Sequence, residues 1–295
     1  MPIKDILSDL RGYDLNPQGA KLYIGSSPVD KILVGSDAAY YGLVTTNLKI
    51  HIDAQNNVSY PHGGGTTTIT DLQGNHNATL VGTFNNTTPK NWEIDKDAGN
   101  STTNDGEFIT FDDIETFNSP QDFTFSIWFE FTSFTNTDSD HDIITKGSHG
   151  QNRPILVWYD AAVNGTLPQF GGGNTQTISF MVTDTDGVDH WIAAPSSSIT
   201  TGQIYNLVVQ KRGSDDTHPN HGQSRIWING VKKADHTQST TDGIGNNTDP
   251  LKLGAPTGSL QDSDMKIYAF HAYDSFLTDA QIDQNWNHLK ERFGL

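Results

Sequence analysis

Cysteine is absent from the 295 residues. No disulfide framework and no thiolate metal site can form, and the absence fits assembly in a reducing cytoplasm. Base is scarce: 18 Lys and Arg stand against 35 acids, a net charge of −17. That leaves no basic footprint for nucleic acid and no attraction to an anionic membrane. Long apolar runs are missing too. No stretch approaches the ~18 residues of a transmembrane helix. The start, MPIKDILSDLRGYDLNPQG, has no apolar core of a secretory signal, so none is expected. Glutamate is rare, 5 residues against 30 Asp. Glu suits helix interiors and Asp suits caps and turns, so the imbalance points to loops between strands.

What remains is aromatic and glycine-rich. Phe, Trp and Tyr make 10% of the chain, in short dense runs, with 28 Gly. The run FTFSIWFEF at 123–131 alternates, with Phe123, Phe125, Ile127, Phe129 and Phe131 on one face. Such period-2 alternation is the mark of a sandwich strand with a core face. Further strands are expected at 48–53 (LKIHID), 108–111, 155–159, 178–182, 190–194, 204–211, 251–254 and 265–273. In SRIWINGVKK, Asn229-Gly230 separates two extended runs. A type I′ turn needs positive φ at both central positions, so this pair predicts a tight hairpin. The tract 55–105 is rich in Gly, Thr and Asn and reads as mostly loop.

One helix is expected near the C-terminus. Thr278 and Gln281 have capping-box spacing, Leu277 and Ile282 can staple the cap, and Ile282, Trp286 and Leu289 form an apolar stripe. The fold class is therefore all-β, a sandwich or jelly roll with one C-terminal helix. Residues 1–42 differ from this body. They carry four bases against five acids, leaving −16 for the rest, with a helical pattern (Ile3, Ile6, Leu7, Leu10) and two apolar runs. They read as an N-terminal arm, and 43–295 as the jelly-roll domain. Leu22, Tyr23, Ile24, Ile32, Leu33 and Val34 are its candidate partner contacts. The plainer reading makes the arm an edge hairpin of the sandwich.

The order of motifs resembles the laminin-G-like, concanavalin A-like jelly rolls of marine bacteriophage structural proteins. The resemblance rests on LKIHIDAQNNVSYPHGGGTTTITDLQGNHNATLVGT (48–83), FITFDD followed by FTFSIWFEF, NLVVQK, IWINGVKK, LKLG, and the closing KIYAFHAYDSFLTDAQIDQNWNHLKERFGL. It covers about residues 43–295. It implies a two-sheet antiparallel jelly-roll sandwich and a virion surface structural protein made in the host cytoplasm. Head decoration is expected, with the arm docking on capsid or other virion proteins and the chain forming a homo-oligomer on the particle. The alternatives are a tail or fibre-tip protein for host attachment, or a secreted carbohydrate-binding module with a glycan partner. A glycoside hydrolase comes third.

Catalysis is not expected. The nearest string to a paired-carboxylate strand motif is Glu93-Ile94-Asp95-Lys96-Asp97, placed by the pattern in loop. No cofactor is required. Calcium could be held by Asp138, Asp140 and Asp142 in NTDSDHD, or by Asp184, Asp186 and Asp189 in DTDGVD, since clustered carboxylates suit a hard cation. A turn explains the second cluster equally well. His218 and His221 could pair on a metal or simply line a polar loop. Trp128, Trp158, Trp191 and Trp227 fall in expected strands, where packing is the default role.

Overall fold

The computed structural model describes residues 42–61, 65–82, 91–95, 107–114, 117, 122–134, 140–148, 151–160, 176–184, 186–194, 199–213, 222–237, 245, 248–254 and 264–295, with the backbone of four short strands between 23 and 41. Those four are β1 (Tyr23–Ile24), β2 (Ser27–Pro28), β3 (Lys31–Val34) and β4 (Asp37–Tyr41). The body opens with β5 (Leu48–Asp53), β6 (Thr68–Ile69), β7 (Ala78–Val81), β8 (Trp92–Ile94) and β9 (Phe108–Phe111). It continues with β10 (Phe123–Ser133), β11 (Asp140–Ser148), β12 (Gln151–Asp160), β13 (Thr177–Thr183) and β14 (Asp189–Ala194). It closes with β15 (Tyr205–Lys211), β16 (Gln223–Ile228), β17 (Val231–Thr237), β18 (Leu251–Leu253), β19 (Asp264–Tyr273) and helix α1 (Asp279–Leu289). A 3-10 turn, Lys290–Phe293, ends the chain.

Two antiparallel sheets make the sandwich. The first runs β17-β16-β15-β10-β19-β5, with β8 also on β19; the second runs β14-β13-β12-β11-β18-β9-β7-β6. The expected alternation of β10 is realised: Phe123, Phe125, Ile127, Phe129 and Phe131 are each 1% exposed or less and belong to the core. Rings lock the sheets across the gap, Phe123 against Phe180 at 6.1 Å and Phe111 against Phe270 at 5.8 Å. The hairpin is where the sequence puts it, with φ of 50° at Asn229 and 72° at Gly230. The tract 55–105 holds more strand than its composition suggests, since β6, β7 and β8 all lie within it. These runs are only two to four residues long, too short for periodicity to register.

The motif ITDLQGNH is explained by Asp71. Its buried carboxylate accepts hydrogen bonds from the backbone N–H groups of His51, Gln73, Asn75 and His76, at 2.8 to 3.1 Å. Gly74 takes φ of 80° to close the turn. One carboxylate thus satisfies four donors and ties the turn to β5. Asp71→Ala would leave those donors without their acceptor and is expected to cost about 2 kcal/mol. Urea unfolding checks this, and a midpoint equal to that of the parent would contradict it.

On the other face of β10, Thr124, Ser126 and Trp128 are buried too. Helix α1 covers them. Thr278 caps it with the full capping box. Buried polar side chains match sheet to helix. Thr124 Oγ1 donates to Ser275 O (2.7 Å), Gln210 Nε2 to Leu277 O (2.9 Å), and Trp227 Nε1 to Gln210 Oε1 (3.2 Å). Trp128 lies between Trp286, stacked at 5.5 Å, and Phe293 at 4.4 Å.

Candidate functional site

The arm joins the body at α1. Val44 N donates to Asn285 Oδ1 (2.8 Å), Gln284 Nε2 donates to Gly42 O (2.7 Å), and Asn285 Nδ2 donates to Tyr273 Oη (3.0 Å). Within the arm, β1 pairs with β2 and β3 with β4, and among the described residues neither pair joins a large sheet. Tyr23, Ile24, Ile32, Leu33 and Val34 therefore lie on self-paired strands whose backbone alone is described. Leu22 and the helical pattern at 3–10 lie outside the described residues.

Asp138 lies outside the described residues, as do His218 and His221. Asp140 and Asp142 belong to strand β11, which pairs with β12 and β18. Asp142 is opposite Trp158 and is 1% exposed. In the second cluster Asp186 is exposed and Asp184 is buried. Asp184 Oδ1 accepts from Asp186 N (3.0 Å) and Val188 N (2.8 Å), and Oδ2 meets His190 Nε2 at 2.7 Å. Burial works against its charge, but the His190 ring and the two N–H groups outweigh burial and hold the carboxyl below its usual range. The carboxylate is thus turned to protein donors and closes the β13–β14 turn, as Asp does in side-chain-capped turns. Asp189 accepts from Thr183 Oγ1 at 2.6 Å. Among the described residues no three His, Asp or Glu side chains cluster as a metal site would require.

Glu93 is not in loop but on β8, facing Lys266 of β19, and Lys266 faces Glu130 of β10. This forms a carboxylate–ammonium–carboxylate row on the outer face. Lys266 Nζ reaches Glu130 Oε1 at 3.4 Å, and Tyr268 Oη donates to Glu130 Oε2 at 2.7 Å. Tyr268 lies at a register shift between β10 and β19. Burial, helped by Glu130, pushes its phenol well up, so it stays a donor. Asp95 N donates to Glu107 Oε2 at 2.8 Å.

The tryptophans Trp128, Trp158, Trp191 and Trp227 divide between the two outer faces. Trp128 and Trp227 are sealed under α1. Trp158 joins Leu156 and Met181 in a separate cluster on the second sheet, with the partly exposed Trp191 against it. Sequence reading missed the clamp at the chain's end. Arg292 donates from both terminal nitrogens to Asp53, each at 2.5 Å, and from Nε to Gln55 Oε1 at 2.9 Å. Behind it, His51 and His271 face each other in register, ring centroids 4.8 Å apart. The signal available was parity alone: His51 and Asp53 both alternate with the core residues Ile50 and Ile52.

Two antiparallel sheets, a sealed outer face and, among the described residues, one capped α-helix define a jelly-roll sandwich. The family model of the concanavalin A-like lectin/glucanases superfamily, in its laminin G form, matches residues 101–283, and the chain belongs to that superfamily. No curated protein matches the chain. Solved structures with the same fold include the receptor binding domain of botulinum neurotoxin mosaic serotype C/D, at 13% identity and TM-score 0.54, covering 82% of this chain and 50% of that one. The binding domain of botulinum neurotoxin DC in complex with rat synaptotagmin II gives 14% identity and TM-score 0.56, over 83% and 52%. The botulinum neurotoxin type G receptor binding domain gives 12% and 0.51, over 82% and 51%. The chain spans about half the length of these domains. At such identity the likeness is one of fold.

Proposed function

We propose that the protein is a non-enzymatic recognition module displayed on a larger assembly by its N-terminal arm. The observation that carries this reading is the arm's pairing. Among the described residues its strands pair two by two, β1 with β2 and β3 with β4, and with neither large sheet, while its exit is pinned to α1. A nearly neutral arm on a −16 body is also the part suited to approach another acidic surface, because like charges oppose close contact. Following the sequence resemblance, the assembly is a virus particle, with the domain decorating its head. Many symmetric copies would sum weak contacts into firm attachment.

Deleting residues 1–42 tests this. The remainder should stay soluble, melt cooperatively and run as a free domain when lysate of producing cells is sized, while the full chain runs with the particle. An insoluble or unfolded remainder would make the arm part of the core and end the docking reading.

A second reading, glycan recognition, is favoured by Trp191 beside the Leu156, Trp158 and Met181 cluster. A half-exposed indole on an apolar base suits the face of a sugar ring. Glycan-array binding lost on Trp191→Ala would support it, and an array without binding would remove it. Neither reading involves hydrolysis. Incubation with β-glucans and galactans should release no reducing sugar, and release abolished by Glu93→Gln would overturn that.

A further inference from the structure

Near the C-terminal cap lie two facing histidines, His271 buried and His51 partly so, whose neighbouring carboxylates already hold other donors. His51 on β5 and His271 on β19 project to the outer face under the tail. His271 is 1% exposed, and its Nε2 has no hydrogen-bond partner among the described residues. His51 keeps a partly exposed edge. The charged groups facing the pair come from four elements. Asp53 lies on β5, Asp71 on the turn after β6, His288 on α1, and Arg292 on the 3-10 turn. Farther along the same face, Lys49 and Asp274 pair with each other at 2.7 Å. Both nearby acids are occupied: Asp53 holds the guanidinium of Arg292, and Asp71 holds four backbone N–H groups. A proton on either ring would add a cation beside Arg292 without adding an acceptor.

We propose that α1 and the 3-10 turn form an acid-released cap, closed while His51 and His271 are neutral and opened when they take protons, lifting Phe293 and Trp286 from Trp128. The direction follows from linkage. Burial pushes His51 down to about 4, with Asp53 and Asp71 opposing and Arg292 and His288 helping. Burial also pushes His271 well below its usual range. In the opened state both rings regain the ordinary value of about 6.5. The open state therefore binds more protons between those limits. Closure is fully favoured above the ordinary value and weakens as pH falls toward the closed-state value. Each ring can contribute up to about tenfold in the opening equilibrium per pH unit in that window. The cap is the element that yields, because Arg292 and His288, the cations that face both rings, lie on it, while β10, the strand under Trp128, is held on both sides by β15 and β19.

Amide hydrogen exchange on the full chain tests this, with rates corrected for intrinsic pH dependence. Between pH 7 and pH 5, protection of 279–295 should fall at least about tenfold while protection of 123–131 holds. The double variant His51→Gln/His271→Gln should flatten that dependence, and His288→Gln should keep it. Cap protection that is flat with pH in the parent, or that falls only together with that of β10, overturns the proposal, and this reading needs no variant to fold. A slope that survives the double variant, or vanishes with His288→Gln, overturns it as well.

Discussion

Trp128→Ala is expected to lower stability by about 3–5 kcal/mol, the range for removing a large buried aromatic. The ring is 1% exposed on an inner strand of its sheet and stacks against both Trp286 and Phe293. Removing it leaves a slot that two rings from α1 and the tail line together. Neither can fill it without moving the cap, and the cap is fixed at Asp53 and at Gly42. The loss should therefore appear as a large shift of the urea midpoint, together with faster exchange of 279–295. A shift worth less than about 1 kcal/mol would mean that the cap collapses onto the strand and that the stack is incidental.

Gly230→Ala is the second large effect, at about 3 kcal/mol. Two costs combine there. The backbone takes φ of 72°, where a side chain costs ~1–2 kcal/mol. An added Cβ would also lie 2.6 Å from Trp286 Cδ1 and 2.7 Å from Cγ, and overpacking of this kind costs ~1–3 kcal/mol. Asn229→Gly separates the terms, since it keeps the turn and adds no atoms at Trp286. It also removes the Oδ1 that accepts from Asn206 N at 2.8 Å, so a modest loss is expected. Thermal melts of the two variants give the comparison. Equal small losses would mean that the hairpin tip does not support the helix.

The same glycine shows how far the sequence could be read. Asn229-Gly230 announces a hairpin because the turn's dihedral demand is local. The contact with Trp286 is made 56 residues later in the chain and leaves no local sign. The Phe face of β10 was legible because alternation is a property of the strand itself. Burial of Thr124, Ser126 and Trp128 was not, because it depends on a helix and its lead-in, where Leu277 N donates to Thr124 Oγ1 from 153 residues on. Strand β11 escaped notice for a related reason. DHDIITKGS reads as polar loop, and only its partners β12 and β18, together with the ion pair of buried Lys146 with Asp113 at 2.8 Å, make it a core strand. The capping box at Thr278 and Gln281 was fully legible, being contained in four residues. Functional geometry was the least legible. The Asp53–Arg292 clamp and the His51–His271 pair join residues 239 and 220 apart in the chain. The acidic spacing in DTDG reads alike as a cation loop or as a turn, until the donors around Asp184 are seen.

The central claim is that this domain is carried on a particle by its arm. Immunogold labelling tests it most directly, using an antibody raised against residues 43–295 on particles purified from the cells that make the protein. The account predicts regular labelling of the outer surface of the head, with the jelly roll reachable and the arm shielded from proteolysis. Particles that take no label, with all of the protein recovered free in the soluble fraction, would contradict it.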